Sequence, residues 1–216
     1  MKRAIQEIAK IKVFLITCLV FVLIGVIFLL ITDKTTLQLA INEMHHAVLD
    51  PVFRYGTHIG DGLTTAILIL PIGIFLFKKY RFSTFALGWG TLFFTGLFSQ
   101  FMKRVVYPNA ERPMRFIGED LLYLVPGVDV HSMNSFPSGH TAAGFAFFAF
   151  VSMAFFKSKR RYQVLMAVLA VFVGYSRMYL SQHFMEDVVV GALVGILAYI
   201  VAHVIVGLIP WKKSIV

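Results

Sequence analysis

Apolar residues run through this chain in long uninterrupted blocks separated by short polar connections. Val13–Thr32 and Phe82–Met102 contain no charged residue, and Val188–Pro210 is interrupted only by His203. Apolar runs of about 20 residues have the length to cross a bilayer as helices. Three further runs, Leu63–Phe77, Ser138–Phe156 and Tyr162–Leu180, are shorter or marked, the last by Arg177 near its end. Backbone in contact with lipid must satisfy its hydrogen bonds internally, so these runs predict helices. The expected architecture is all-α: a polytopic membrane protein with six transmembrane helices in a bundle.

The polar connections test that count. Basic residues gather at Lys2, Arg3, Lys10 and Lys12, at Lys78, Lys79 and Arg81, at Lys157–Arg161, and at Lys212 and Lys213. In a six-span arrangement all four clusters fall on one side, which the positive-inside tendency makes cytoplasmic, together with both termini. Every acidic residue except Glu7 falls on the other side. Val13–Thr32 follows a basic segment, as in a signal peptide, but it is long and no small-residue cleavage site closes it. It is therefore expected to be a retained helix. No repeat or linker divides the chain, so 1–216 reads as a single integral membrane domain.

Two outer connections are long. Asp33–Gly62 carries Leu37, Ile41, Met44 and Val48 at helical spacing. This predicts either an amphipathic helix lying at the outer interface or a packed surface loop. Lys103–Pro137 is polar and rich in Pro and Arg.

Composition supports the membrane reading: 58% of residues are hydrophobic, 14% are charged, and mean hydropathy is +0.79. A soluble domain would be roughly a quarter charged. The net charge of +9 would suit a nucleic-acid binder, but its distribution follows membrane sidedness rather than one folded surface, so no nucleic-acid partner is expected. Anionic lipid at the inner leaflet is the expected partner of those clusters. The single cysteine, Cys18, lies in an apolar run, so no disulfide framework or thiolate cluster is predicted.

The candidate chemistry lies on the outer side. Seven basic residues remain there: Lys34, Arg54, Lys103, Arg104, Arg112, Arg115 and Arg177. With them are Pro137-Ser138-Gly139-His140 at the start of one span and His183 and Asp187 at the start of another. His183 and Asp187 are four apart and share a helix face. The carboxylate can accept from one ring nitrogen and leave the other basic, fit for a base or a nucleophile. His140 would supply a proton to a leaving oxygen. Lys103, Arg112 and Arg177 can grip phosphoryl oxygens, and Ser138 and Gly139 open a helix N-terminus, where anions are favoured. The set lacks a cluster suited to a divalent ion, so no metal or other cofactor is expected.

Lys103…Arg112-Pro113, then Pro137-Ser138-Gly139-His140, then Ser176-Arg177…His183…Asp187, resembles the type 2 phosphatidic-acid phosphatase superfamily. The likeness is close over 103–187. It implies that His183 attacks phosphorus to form a phosphohistidine, that Asp187 holds it, and that His140 protonates the leaving group and then activates water. It also implies that Lys103, Arg112, Ser138, Gly139 and Arg177 bind phosphate. Eight residues separate Lys103 from Arg112, longer than the usual first motif. Arg104 therefore competes with Lys103 for the lysine role, and Arg115 is a candidate further contact.

The resulting expectation is a metal-independent lipid phosphate or diphosphate phosphohydrolase in a bacterial inner membrane, with its site outside the cytoplasm. Resemblance to bacterial members makes undecaprenyl diphosphate the first-choice substrate, which would serve cell-wall synthesis. The alternatives are phosphatidylglycerophosphate, phosphatidic acid or lipid A phosphate, a lipid phosphotransferase, or a transporter that only binds a phosphate headgroup. Asp187 discriminates against the last, because an anion-binding pocket gains nothing from a buried carboxylate. His203 reads as a packing residue, and His45, His46, His58 and His131 as loop residues. Glu186 falls on another helix face from Asp187. Gly191 and Gly195 form a small-residue stripe for close helix packing, with a dimer interface as the alternative.

Overall fold

The computed structural model describes residues 2–80 and 82–211 and is helical throughout, with no strand among them. The elements are α1 (Lys2–Ile8), α2 (Lys12–Ile31), α3 (Lys34–Asn42), α4 (Leu49–Gly56), α5 (Gly62–Tyr80) and α6 (Phe82–Phe101), then α7 (Pro113–Ile117), α8 (Gly139–Phe155), α9 (Arg160–Tyr179) and α10 (Met185–Leu208). Each of the six apolar runs forms a helix: α2, α5, α6, α8, α9 and α10. By length and composition, two stretches suffice to cross a membrane, Ala4–Ile31 and Met185–Leu208. A third qualifies if Leu49–Gly60 and Gly62–Phe77, which meet at a 63° bend, count as one span. The others fall short for local reasons: Gly, Ser and Thr dilute α6, polar ends shorten the apolar part of α9, and α8 is only 17 residues long.

α8 sits at the centre. Nearly every residue from Thr141 to Phe150 is buried, including Phe145, Phe147, Phe148 and Phe150. α10 packs against α8, α6 and α2, and α9 against α8 and α2. Three of the phenylalanines of α6 point the other way: Phe82, Phe93 and Phe101 are exposed. α2 likewise turns Ile16, Leu19, Leu23, Ile27 and Leu30 outward. An exposed apolar surface of this extent marks contact with lipid or a partner rather than with water.

Two glycines set the approach of α8 to α10. A Cβ on Gly191 would lie 2.7 Å from the Ser138 carbonyl oxygen, and one on Gly195 would lie 2.2 Å from that of Ala142. Their stripe is thus occupied within the chain by α8, which replaces the dimer-interface alternative. The close approach also lets the Ser138 N–H donate to the Asp187 carbonyl at 3.0 Å, tying two motifs together. Gly195→Ala should push backbone against backbone and cost about 2 kcal/mol. A lowered thermal midpoint in detergent would register it, and an unchanged midpoint would refute this account of the packing.

At the opposite end of the bundle, the N-terminal basic segment meets the cluster after α8. The Ser158 N–H donates to the Lys10 carbonyl at 2.9 Å, and the Gln163 side chain donates to the carbonyls of Lys10 and Phe156. Glu7, the one acidic residue expected on this side, pairs with Lys10 at 2.5 Å and Lys157 at 2.9 Å. Arg81, Lys212 and Lys213, and the side chains of Lys2, Arg3, Lys78 and Lys79, lie outside the described residues.

The first long connection corrects one expectation. Leu37, Ile41, Met44 and Val48 do not share a single interfacial helix. α3 ends at Asn42, α4 begins at Leu49, and Met44 and Val48 are exposed between them. The chain breaks because Asn42 is captured by tertiary partners: its Nδ2 donates to the Tyr123 carbonyl and to Ser181, and its Oδ1 accepts from the Tyr123 N–H. Leu37 and Ile41 pack against Met178 and Val188, so α3 is held to the ends of α9 and α10.

Candidate active site

Local structure delivers the motif residues to one end of the bundle. α9 closes at Tyr179, and the next turn folds back on it: Gln182 and His183 donate their N–H groups to the Arg177 carbonyl at 2.9 and 3.2 Å. Ser181 takes a left-handed conformation, φ 53°, to make that reversal. α10 then starts with Asp187 in its first turn, its carboxylate accepting from the Phe184 N–H at 2.9 Å. Ser138 caps α8 by accepting from the Thr141 N–H and hydroxyl. The Ser138 hydroxyl keeps its own proton to donate, and Gly139 has open space beside its α-carbon.

His183 is 2% exposed, and its Nδ1 lies 3.2 Å from Asp187 Oδ2. The same oxygen accepts from the Ser135 hydroxyl. An Nδ1–H directed at the carboxylate leaves the lone pair on Nε2. Burial, with Arg112, Arg177, Lys103 and His140 around it, holds the His183 imidazole well below its ordinary range. At neutral pH the ring is therefore neutral and nucleophilic.

Three cations surround it. Arg112 is buried and fixed: its Nε donates to the Met133 carbonyl at 2.8 Å, and its Nη1 to the Gln182 side chain and carbonyl at 2.9 and 3.2 Å. Arg177 donates from Nη1 to Thr57 at 3.0 Å, while its buried Nε has no acceptor among the described residues. A buried unmatched donor is costly, and a phosphoryl oxygen would satisfy it. Lys103 donates to the Asn134 carbonyl. Burial, with Arg112 beside it, lowers its ammonium to about 8.

The longer first motif has a physical reading here. Met102–Val106 is a π turn, closed by the Tyr107 N–H donating to the Met102 carbonyl. Such a turn takes up more chain than an α turn and is frequent at functional sites. Lys103 is the member of its pair whose charge meets Arg112, Asp187 and Arg177, while Arg104 is exposed. Arg115 pairs with Glu111 at 2.8 Å on the surface.

Arg112, Arg177 and His140 open onto a cavity of about 510 Å³ that is also lined by His58, Asp61 and His131. His131 therefore does face the site, as does His58. His45 instead stacks on Tyr123, His46 accepts from the Val48 N–H, and His203 is buried beside the Tyr199 hydroxyl. Glu186 turns away to Lys34, 3.6 Å distant. Among the described residues no group of three or more His, Cys, Asp or Glu side chains is arranged to hold a metal ion.

Four neighbours of this cluster were not anticipated. Thr57 and Asp61 come from a distant connection with nothing in their spacing to mark them. Gln182 and Ser135 stand close to motif residues, and that adjacency was the available signal.

The sequence profile of the PAP2 superfamily matches residues 83–211, which carry every motif residue just described. The chain belongs to the PAP2 superfamily. Phosphatidylglycerophosphatase B of Bacillus subtilis is 30% identical over 162 residues, 70% of this chain and 72% of that protein. The lipid A 1-phosphatase of Rhizobium johnstonii is 30% identical over 105 residues, 49% of this chain but only 41% of the relative's own length. Among solved PAP2 folds, Aquifex aeolicus LpxE superposes with a TM-score of 0.64 at 28% identity, over 79% of this chain and 94% of that one. The Bacillus subtilis PAP2-type phosphatidylglycerolphosphate phosphatase gives a TM-score of 0.65 over 92% and 98%, and at 24% identity it speaks to the fold alone.

Proposed function

We propose that this chain is a lipid phosphate or diphosphate phosphohydrolase that works through a phosphohistidine on His183. The observation that carries the reading is the buried His183–Asp187 pair, 3.2 Å apart, enclosed by Lys103, Arg112 and Arg177. Nε2 of His183 attacks phosphorus, and the phosphorus–oxygen bond to the leaving group breaks as His140 gives that oxygen its proton. Neutral His140 then takes a proton from water, whose oxygen attacks phosphorus and breaks the phosphorus–nitrogen bond. The three cations and the start of α8 hold the phosphoryl oxygens while charge builds on them. They supply the charge that a divalent ion would otherwise bring, so turnover should persist in EDTA.

The six helices that coincide with apolar runs support six membrane crossings. The site lies at the end of the bundle opposite Lys10 and the 157–161 cluster, which by the positive-inside tendency is the extracytoplasmic face. There a substrate keeps its tail in the bilayer and presents its headgroup. Undecaprenyl diphosphate remains the proposed substrate. The names of the relatives set phosphatidylglycerophosphate and lipid A phosphate beside it as the alternatives.

Phosphate release by detergent-purified protein in EDTA, over a panel of these three lipids, tests the reading. Turnover of one or more supports it, and turnover of none contradicts it. A pH dependence is also expected. Lys103 is charged below its value of about 8 and neutral above it, so the clamp weakens as pH rises. KM should climb roughly tenfold between pH 7 and 9, and a flat KM would remove Lys103 from the clamp.

A further inference from the structure

The bend between α4 and α5 carries a carboxylate into the site. Asp61 Oδ1 caps α5, accepting from the Leu63 and Thr64 N–H groups at 2.9 and 3.1 Å. The cap fixes the carboxylate and leaves Oδ2 3.8 Å from His140 Nε2, within ion-pair range though beyond a hydrogen bond. The turn can come this close because residue 60 is glycine: a Cβ there would lie 2.6 Å from the His140 carbonyl oxygen. Thr57, in the same turn, receives Arg177, so the turn grips the site at two points.

The surroundings of His140 make this carboxylate consequential. The ring is faced by Arg177 from α9, Arg112 from the connection before α7, His58 and Asp61 from the 57–61 turn, and His183 from the turn before α10. Arg112 and Arg177 are fixed cations lining the same cavity as the His140 ring. Among these groups Asp61 is the carboxylate that opposes them.

We propose that Asp61 is a positioning residue for His140, its carboxylate orienting the ring and stabilising the imidazolium that protonates the leaving oxygen. The inference rests on the phosphohydrolase reading for its kinetic consequence. No group is transferred to Asp61: the proton passes from His140 to the leaving oxygen, and His140 is re-protonated by the hydrolytic water.

Asp61→Asn is the informative variant, because asparagine keeps an oxygen for the α5 cap and removes only the charge. For a lipid phosphate, whose alkoxide needs a proton, kcat at neutral pH should fall roughly tenfold. The alkaline limb of kcat should move down by about one pH unit. This separates Asp61 from Lys103, whose titration is expected in KM. With p-nitrophenyl phosphate, whose leaving group departs as an anion, the loss should be much smaller. On a His140→Ala background Asp61→Asn should cost nothing further. Equal losses on both substrates, or an unmoved alkaline limb, would overturn the proposal while leaving the enzyme assignment intact. NMR titration of histidine-labelled protein in micelles, with His140 identified by its loss in His140→Ala, gives a readout that needs no turnover. Its midpoint should fall in Asp61→Asn, and an unchanged midpoint would overturn the proposal. If the unaltered chain turns over no lipid, the phosphohydrolase reading fails separately, and the titration alone decides whether Asp61 and His140 are coupled.

Discussion

His183→Ala is expected to lower kcat for lipid phosphate by roughly ten-thousandfold, the scale on which loss of a nucleophile is felt. The side chain is buried at the meeting point of the α9–α10 turn and α8, and nothing nearby can replace its Nε2. Asp187 is a poor substitute, because its Oδ2 is taken up by His183, Ser135 and the Phe184 N–H. Phosphate affinity should change little, since Lys103, Arg112 and Arg177 keep their own anchors at the Asn134, Met133, Gln182 and Thr57 positions. Binding of inorganic phosphate within about threefold of the unaltered chain, alongside lost turnover, would separate chemistry from binding. Turnover within tenfold of normal would refute the role.

Asp187→Asn should cost nearly as much, roughly a thousandfold in kcat, for a reason of charge rather than of shape. Asp187 Oδ2 accepts from the Phe184 N–H and the Ser135 hydroxyl and lies 3.2 Å from His183 Nδ1. An asparagine oxygen in that place keeps those contacts. It removes the negative charge that stabilises the cationic ring formed when Nε2 bonds to phosphorus. Equal yield and an unchanged elution profile in detergent, together with the kinetic loss, would place the effect on chemistry. Activity within tenfold of normal would contradict this role of the carboxylate.

These effects trace back to features that were readable along the chain. The four-residue spacing of His183 and Asp187 put them on one face, and the structure brings them to 3.2 Å. Ser138, Gly139 and His140 do open α8, and Arg177 does lie in the last turn of α9. Such placements follow from local periodicity and from capping. What periodicity could not supply was tertiary capture. Asn42 ends α3 because Tyr123 and Ser181 hold its side chain, although the apolar spacing continues past it to Val48. Nothing in the spacing marks Asp61, and only the bend and the bare α-carbon of Gly60 bring it to His140. The choice between Lys103 and Arg104 turned on a π turn, and no residue spacing specifies which way a widened turn aims its side chains.

The central claim is a covalent phosphoryl–histidine intermediate, and trapping tests it most directly. Purified protein mixed with phosphorus-labelled lipid phosphate in EDTA should be quenched within the first turnovers and digested. The account predicts label on the peptide carrying His183, labile in acid and stable in alkali as a phosphoramidate is, and absent from His183→Ala. Label on another residue, label that survives in His183→Ala, or rapid turnover with no trapped phosphoenzyme on any timescale would contradict it.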